Sequence, residues 1–216
     1  MTRLAPLGER AYLARFDSEV EAARWASAVR TESWTGIVDV VLAYDSVGVF
    51  ADPERVDLEK LRESLERIAP RRDSDRLGKL VLIPVLYDGE DLAEVAEQLG
   101  ISVDDVVSAH STQEYRIYAI GFQPGFPYAG YLPRVLQGLP RRSSPRTRVP
   151  AGSVAIVGRQ TAVYPNESPG GWHLIGRTPL SIVDVEQGRF PLRAGDRLRF
   201  VAIDRAEYEA RRGEPL

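Results

Sequence analysis

The chain contains no cysteine, which excludes disulfides, thiolate metal sites and a cysteine nucleophile. Histidine occurs only at His110 and His173, too few for a multi-histidine metal centre. Lysine occurs only at Lys60 and Lys79, and no GxxxxGK[ST] segment is present, so this chain is not a P-loop nucleotidase by itself. No apolar run approaches the roughly 18–20 residues needed to cross a bilayer. The opening MTRLAPLGERAYL lacks an apolar stretch followed by a small-residue cleavage site, so a cytoplasmic protein is expected. What remains is ordinary globular material. The 216 residues are 44% hydrophobic and 27% charged, enough for one or two domains with a sizeable core.

Charge is unevenly spread. Residues 115–166 carry seven arginines and no carboxylate, whereas the chain as a whole has a net charge of −3. A locally positive field suits an anionic ligand or an acidic partner surface. Chance clustering in a strand-rich stretch, where Asp and Glu are disfavoured, is the plainer reading. Nucleic acid is disfavoured because the whole protein is acidic.

Periodicity divides the chain in two. Residues 10–16 alternate like a strand. Residues 17–30 read as a helix capped by Asp17 or Ser18, with Val20, Ala23, Trp25 and Ala28 near one stripe. Residues 36–43 and 47–52 read as strands around a Tyr44-Asp45-Ser46 turn. Asp57 opens a helix with Leu58, Leu61, Leu65 and Ile68 on its apolar side, ended by Pro70 and the run RRDSDR. Residues 79–88 read as a strand, with Pro84 marking an edge or bulge. The order βαββαβ predicts a ferredoxin-like domain over 1–88. Two short helices, 91–100 and 102–111, follow. Then YRIYAIGF, GSVAIVG, QTAVYP, WHLIG, LSIVDV and DRLRFVAI form strand-like runs between Gly and Pro, which predicts a β-barrel or sandwich over 89–216. A charged helix, 204–212, closes the chain. The expected class is α+β.

Three segments stand apart. GFQPGFPYAGYLP (121–133) packs three Gly, three Pro and four aromatics into thirteen positions. That is too many breakers for a regular element and too many rings for a solvated linker. Pro124 and Pro127 stiffen it, while Gly121, Gly125 and Gly130 permit its bends. Phe122, Phe126, Tyr128 and Tyr131 suit a pocket wall or a subunit interface. In PRTRVPAGSVAIVGRQTAVYP (145–165), Arg146 and Arg148 lie two apart, so an extended segment points both to one side. That pair fits a carboxylate or phosphate, or else forms an exposed basic rim. In ESPGGWHLIGRTPL (167–180), Ser168, Gly170 and Gly171 fit either an anion-binding nest walled by Trp172 or a tight barrel turn. His110, beside Ser108 and Ser111, is either a general acid–base or a structural histidine. Asp104 and Asp105 read as helix-dipole partners. No Ser-His-Asp order or paired-carboxylate spacing emerges, so no self-sufficient active site is expected.

The three segments, in this order and preceded by Ser108-Ala109-His110, resemble the PxpB/KipI family. This family is also described as allophanate hydrolase subunit 1, or carboxyltransferase domain subdomains C and D. The first segment is similar to the family's GFxPGFPYLGGLP. Here Ala129 and Tyr131 replace the usual Leu and Gly, and Ala162 replaces a usual Gly, which bears on the shape of the loop's lip. The resemblance implies a ferredoxin-like domain followed by a cyclophilin-like β-barrel. It implies a subunit of an ATP-dependent 5-oxoprolinase that opens 5-oxo-L-proline to L-glutamate, with Mg2+ brought by the nucleotide. The implied partners are a PxpC/KipA-like subunit and a PxpA (LamB/YcsF-like) subunit. Carried onto this sequence, Arg146, Arg148, Gln160, Ser168, Gly170, Gly171 and Trp172 would bind substrate or nucleotide. His110 would relay a proton, and Phe122, Pro124, Gly125, Phe126, Pro127 and Tyr128 would form the pocket or interface loop. Alternatives within the resemblance are inhibition of a sensor histidine kinase and a role in allophanate or urea-type amide hydrolysis.

Overall fold

The computed structural model describes residues 3–69 and 78–216. The chain divides into two compact units, Met1–Leu77 and Gly78–Leu216. Pro70 and the run RRDSDR, expected to end a helix, lie outside the described residues.

The first unit is a four-stranded antiparallel sheet in the order β1 (Arg3–Pro6), β2 (Ala11–Arg15), β4 (Ser46–Ala51), β3 (Ile37–Ala43). Helix α1 (Glu19–Thr31) packs on β3 and β4. Ser18, not Asp17, is its cap, accepting from the Glu21 N–H at 3.2 Å, which satisfies one otherwise unpaired donor of the first turn. Its buried residues are Ala22, Trp25, Ala26, Ala28 and Val29, the expected Trp25 and Ala28 among them. Ala22, Trp25, Ala26 and Val29 follow the i, i+3, i+4, i+7 spacing of one helix face, whereas the expected Val20 is exposed. Asp57 caps α2 (Leu58–Glu66) by accepting from the Glu59 and Lys60 N–H groups, and Leu61 and Leu65 are its buried residues.

The ferredoxin-like expectation is corrected in one strand. A ferredoxin-like sheet would place a fourth strand, residues 79–88, beside β2. The short β1 occupies that edge instead. The strand expected there forms as β5 (Leu80–Val85) and joins the sheet of the second unit. Its apolar run finds a deeper site in that unit, where Ile83 and Val85 are fully buried. Each such side chain contributes about 1.5–3 kcal/mol on burial.

The second unit contains α3 (Leu92–Leu99), α4 (Val103–Ser111), β6 (Tyr115–Ile120), β7 (Pro127–Gly130), a 3-10 turn (Arg134–Leu136), β8 (Arg146–Val149), β9 (Ser153–Val157), β10 (Gln160–Val163), β11 (Ser168–Gly170), β12 (His173–Arg177), β13 (Arg197–Ala202) and α5 (Arg205–Ala210). Seven strands form one sheet in the order β12-β9-β10-β7-β6-β13-β5. Only β13 and β5 pair in parallel within it. Its two ends meet where Leu86 and Arg177 exchange backbone hydrogen bonds, each 2.9 Å, so the sheet is a nearly closed barrel. The closure needs a glycine: a Cβ on Gly176 would stand 2.7 Å from the Leu86 carbonyl oxygen. The core runs through Ile83, Val85, Ile117, Val154, Ile156, Val163, Ile175, Leu198 and Phe200. LSIVDV (180–185) buries Leu180, Ile182 and Val183 but makes only isolated bridges instead of the expected strand. Ser102 and Asp105 form a capping box on α4, so Asp105 hydrogen-bonds backbone as well as facing the helix dipole.

Candidate functional site

Two of the three conspicuous segments meet in a ribbon. Strands β8 and β11 pair antiparallel as a separate two-stranded sheet, with Ser168 opposite Val149 and Gly170 opposite Arg146. The first segment is tied to it by Gln123, whose Nε2 donates to Ser168 Oγ at 3.2 Å and to the Asn166 carbonyl at 3.4 Å.

Beneath this junction lies a ring cluster centred on Phe126. Its centroid is 5.0 Å from Tyr128, 5.2 Å from Tyr164, 5.6 Å from Trp172 and 5.4 Å from Phe122, all edge-to-face. That geometry is favoured by the ring quadrupoles and adds roughly 0.5–1.5 kcal/mol per pair beyond burial. Phe126, Tyr164 and Trp172 are buried, whereas Phe122 is 61% exposed. Phe122 also has φ 67, in the left-handed region that costs a non-glycine residue about 1–2 kcal/mol. The fold therefore holds one aromatic ring out to solvent on a strained backbone, over a rigid base. Gly125 fixes the same turn. Its φ is 79, and a Cβ there would stand 2.3 Å from Val183 Cγ1.

The expectation that the segment holds no regular element is corrected, because Pro127–Gly130 continues as β7. Pro127 takes the first strand position, where a missing N–H is tolerated. Pro124 is exposed at the turn. Tyr131 is not in the left-handed region. It stacks on Tyr118 with centroids 5.0 Å apart and lies under the Arg159 guanidinium at 4.5 Å. Gln160 pairs with Gly130 across β10 and β7.

The arginine pair does not converge on a common anion. Arg146 donates from Nη2 to Asp91 Oδ1 at 2.7 Å and to Glu90 at 3.1 Å. Arg148 grips Glu167 with two bonds of 2.9 and 3.0 Å, exposed to solvent. Both guanidinium groups are thus engaged by protein carboxylates. The anion-nest reading of Gly170 and Gly171 is corrected too. Neither is in the left-handed region, and Gly170 sits in β11. Its glycine admits a ring, since a Cβ would stand 2.3 Å from the Tyr164 hydroxyl.

His110 lies apart from this cluster, with no exposed surface. Thr161 Oγ1 donates to the Ala155 carbonyl at 3.1 Å, so it accepts from His110 Nε2–H at 2.8 Å. His110 Nδ1 then accepts from the Tyr87 hydroxyl at 2.7 Å. Both nitrogens are satisfied in the neutral form, and burial takes the imidazole pKa down to about 3. The Phe200 and Tyr115 rings flank it at 4.5 and 5.3 Å. His110 is a structural histidine. The expected proton relay is corrected, because such a relay needs reach to a reacting group.

Asp91 was missed by sequence reading. It is 2% exposed and accepts from Arg142 at 2.6 Å, Arg146 at 2.7 Å and the Leu174 N–H at 2.7 Å. Burial alone would raise its pKa. The Arg146 hydrogen bond, the Leu174 N–H and both guanidinium charges prevail, holding the carboxyl below its usual value. The only local signal was an Asp opening a helix, and here the side chain makes no cap bond. Through Asp91, the segments around 142–146 and 174 are locked to the start of α3. Among the described residues no group of three or more acidic or histidine side chains is arranged to hold a metal ion. No described helix is long and apolar enough to cross a membrane.

The profile of the carboxyltransferase domain, subdomain C and D, matches residues 2–192. A protein from Haemophilus influenzae named as a subunit of 5-oxoprolinase is 44% identical over 82% of this chain and 84% of its own length. Its namesake from Bacillus subtilis is 36% identical over 98% of this chain and 97% of its own. The crystal structure of TTHA0988 superposes with a TM-score of 0.81 at 38% identity over 94% of this chain, which spans 41% of that longer protein. The Kluyveromyces lactis urea amidolyase shares the fold, with a TM-score of 0.69 at 18% identity, over 97% of this chain and 15% of its own.

Proposed function

The chain belongs to the carboxyltransferase subdomain C and D family, and from that premise we propose that it is a non-autonomous subunit of an ATP-dependent 5-oxoprolinase. The names carried by the relatives support this reading. In it, the enzyme opens 5-oxo-L-proline to L-glutamate in the cytoplasm. The partners are a PxpC/KipA-like and a PxpA-like subunit.

The observation that carries the reading is the exposed Phe122 held over the Phe126–Trp172 cluster, where the three family segments meet. A rigid apolar wall with one projecting ring is suited to closing a site shared with another subunit. A lactam is inert to water at neutral pH until its oxygen is activated, and ATP supplies that activation. The chain's own part is to exclude water and to position. Its candidate anion holders are already engaged, Arg146 by Asp91 and Glu90, Arg148 by Glu167. The nucleotide and its Mg2+ are taken to lie at a site shared with the partner subunit, and no step is routed through this chain's histidines.

The test is 5-oxoproline-dependent ADP formation by the chain co-expressed with the partner subunits. Turnover by the complex and none by the chain alone is expected. A stable complex inert toward 5-oxoproline would overturn the substrate assignment and direct attention to other amides.

A further inference from the structure

Beside the barrel closure is a cavity of about 310 Å3 whose lining includes Glu90, Ser153, Leu174, Arg177, Tyr208 and Arg212. At about 30 Å3 per water-sized group it admits roughly ten non-hydrogen atoms. Ser153 and Arg177 are register partners on β9 and β12, so their side chains leave the sheet on the same face. Arg177 lies over the Tyr208 ring at 4.8 Å. It spends Nε and Nη2 on the two oxygens of Asp88, at 3.0 and 2.7 Å. Asp88, which also lines the cavity, accepts from Arg205 at 3.0 Å as well, so both its oxygens are already paired with arginine.

The remaining capacity is specific. Arg177 Nη1 makes no hydrogen bond among the described residues, and Arg212 makes only one side-chain bond, to Glu209 at 3.4 Å. Ser153 is 5% exposed, and its hydroxyl has no partner among the described residues. Glu90 spends Oε2 on Arg146 and leaves Oε1 unpaired among them. The cavity thus offers cationic and hydroxyl donors together with one anionic acceptor. A simple anion would meet the Glu90 carboxylate, and a simple cation would meet two guanidinium groups. A ligand bearing both charges satisfies both sets.

We propose that this cavity binds a small α-amino acid as its zwitterion. Its carboxylate is held by Arg177, Arg212 and Ser153, and its ammonium by Glu90 Oε1. The site needs no turnover, so its test is separate from that of the proposed function.

Isothermal titration of the purified full chain with L-glutamate is the test, with acetate and methylamine as the two charged halves and 5-oxo-L-proline as a carboxylate lacking an ammonium. L-Glutamate should bind with a Kd on the order of 0.1–1 mM, and the three comparison compounds about tenfold or more weaker. Arg212→Ala changes an exposed side chain, and Glu90→Gln keeps the shape. Each should weaken L-glutamate about tenfold while the unfolding midpoint holds. Acetate or 5-oxoproline binding as tightly as L-glutamate would overturn the proposal in favour of a plain anion site, and methylamine doing so would indicate a cation site. No binding up to about 10 mM, or unchanged affinity in both folded variants, would overturn it outright.

Discussion

Replacing Asp91 with Asn removes one negative charge from a point where two guanidinium groups and a backbone N–H converge. The Asn oxygen can still accept from Leu174, so the loss falls on the Arg142 and Arg146 contacts. Breaking a buried ion pair costs about 3–5 kcal/mol because the partner charge is left uncompensated. Arg142 and Arg146 keep 26% and 18% of their side-chain surface exposed, so water relieves part of that penalty. The low end, about 3 kcal/mol, is expected. For a unit of this size it lowers the melting midpoint by about 10 °C. The assay is urea and thermal unfolding followed by fluorescence, with Trp172 reporting on this unit. The effect must also follow pH in one direction. The native Asp91 pKa is depressed, so its contribution is complete above the unfolded value of about 3.9 and is lost as pH falls through the native value. Wild type and Asp91→Asn should therefore differ fully between about pH 5 and 8 and converge in stronger acid. A difference below about 1 kcal/mol at pH 7 would refute the argument that Asp91 locks these segments.

Other outcomes follow from the same geometry. His110 is neutral in the fold, with its pKa down at about 3, while the unfolded imidazole titrates near 6.5. Stability should fall as pH drops from about 6.5 toward 3, and His110→Asn should remove that slope in the range above Asp91's own titration, as read by urea midpoints. Gly125→Ala places a Cβ 2.3 Å from Val183 Cγ1 at a left-handed φ, and should cost about 2 kcal/mol or more in chemical unfolding. Phe122→Ala should leave the unfolding midpoint of the isolated chain nearly unchanged, yet reduce turnover of the assembled enzyme about tenfold or more. Arg148→Ala, which breaks a solvent-exposed pair with Glu167, should not move the unfolding midpoint. Any loss of assembled activity it causes would then report on partner contact.

What was legible in the sequence had a local cause. The density of Gly, Pro and rings at 121–133 marked the aromatic wall, and Gly/Pro-punctuated runs marked most barrel strands. What was not legible depended on distant partners. Residues 80–85 are an apolar strand whichever sheet they enter, and their pairing with β13 is set by contacts more than a hundred residues away. The exchange was hidden because β1 is a short Arg-Leu-Ala-Pro stretch that does not alternate apolar with polar. The alternation rule placed Arg146 and Arg148 on one side of a strand, but long guanidinium arms reach different carboxylates. Asp91 passed as the first residue of an expected helix because nothing nearby in sequence announces arginines at 142 and 146. The burial of His110 was likewise invisible, since its partners Tyr87 and Thr161 come from opposite sides of it in the chain.

The most direct test of the account is an omission experiment. The partner subunits at fixed concentration are titrated with this chain, and 5-oxoproline-dependent ADP and glutamate formation are followed together. The account predicts no turnover without the chain, a rise to saturation as it is added, and a plateau lowered by Phe122→Ala. Full activity of the partners alone, or a plateau indifferent to Phe122, would contradict it.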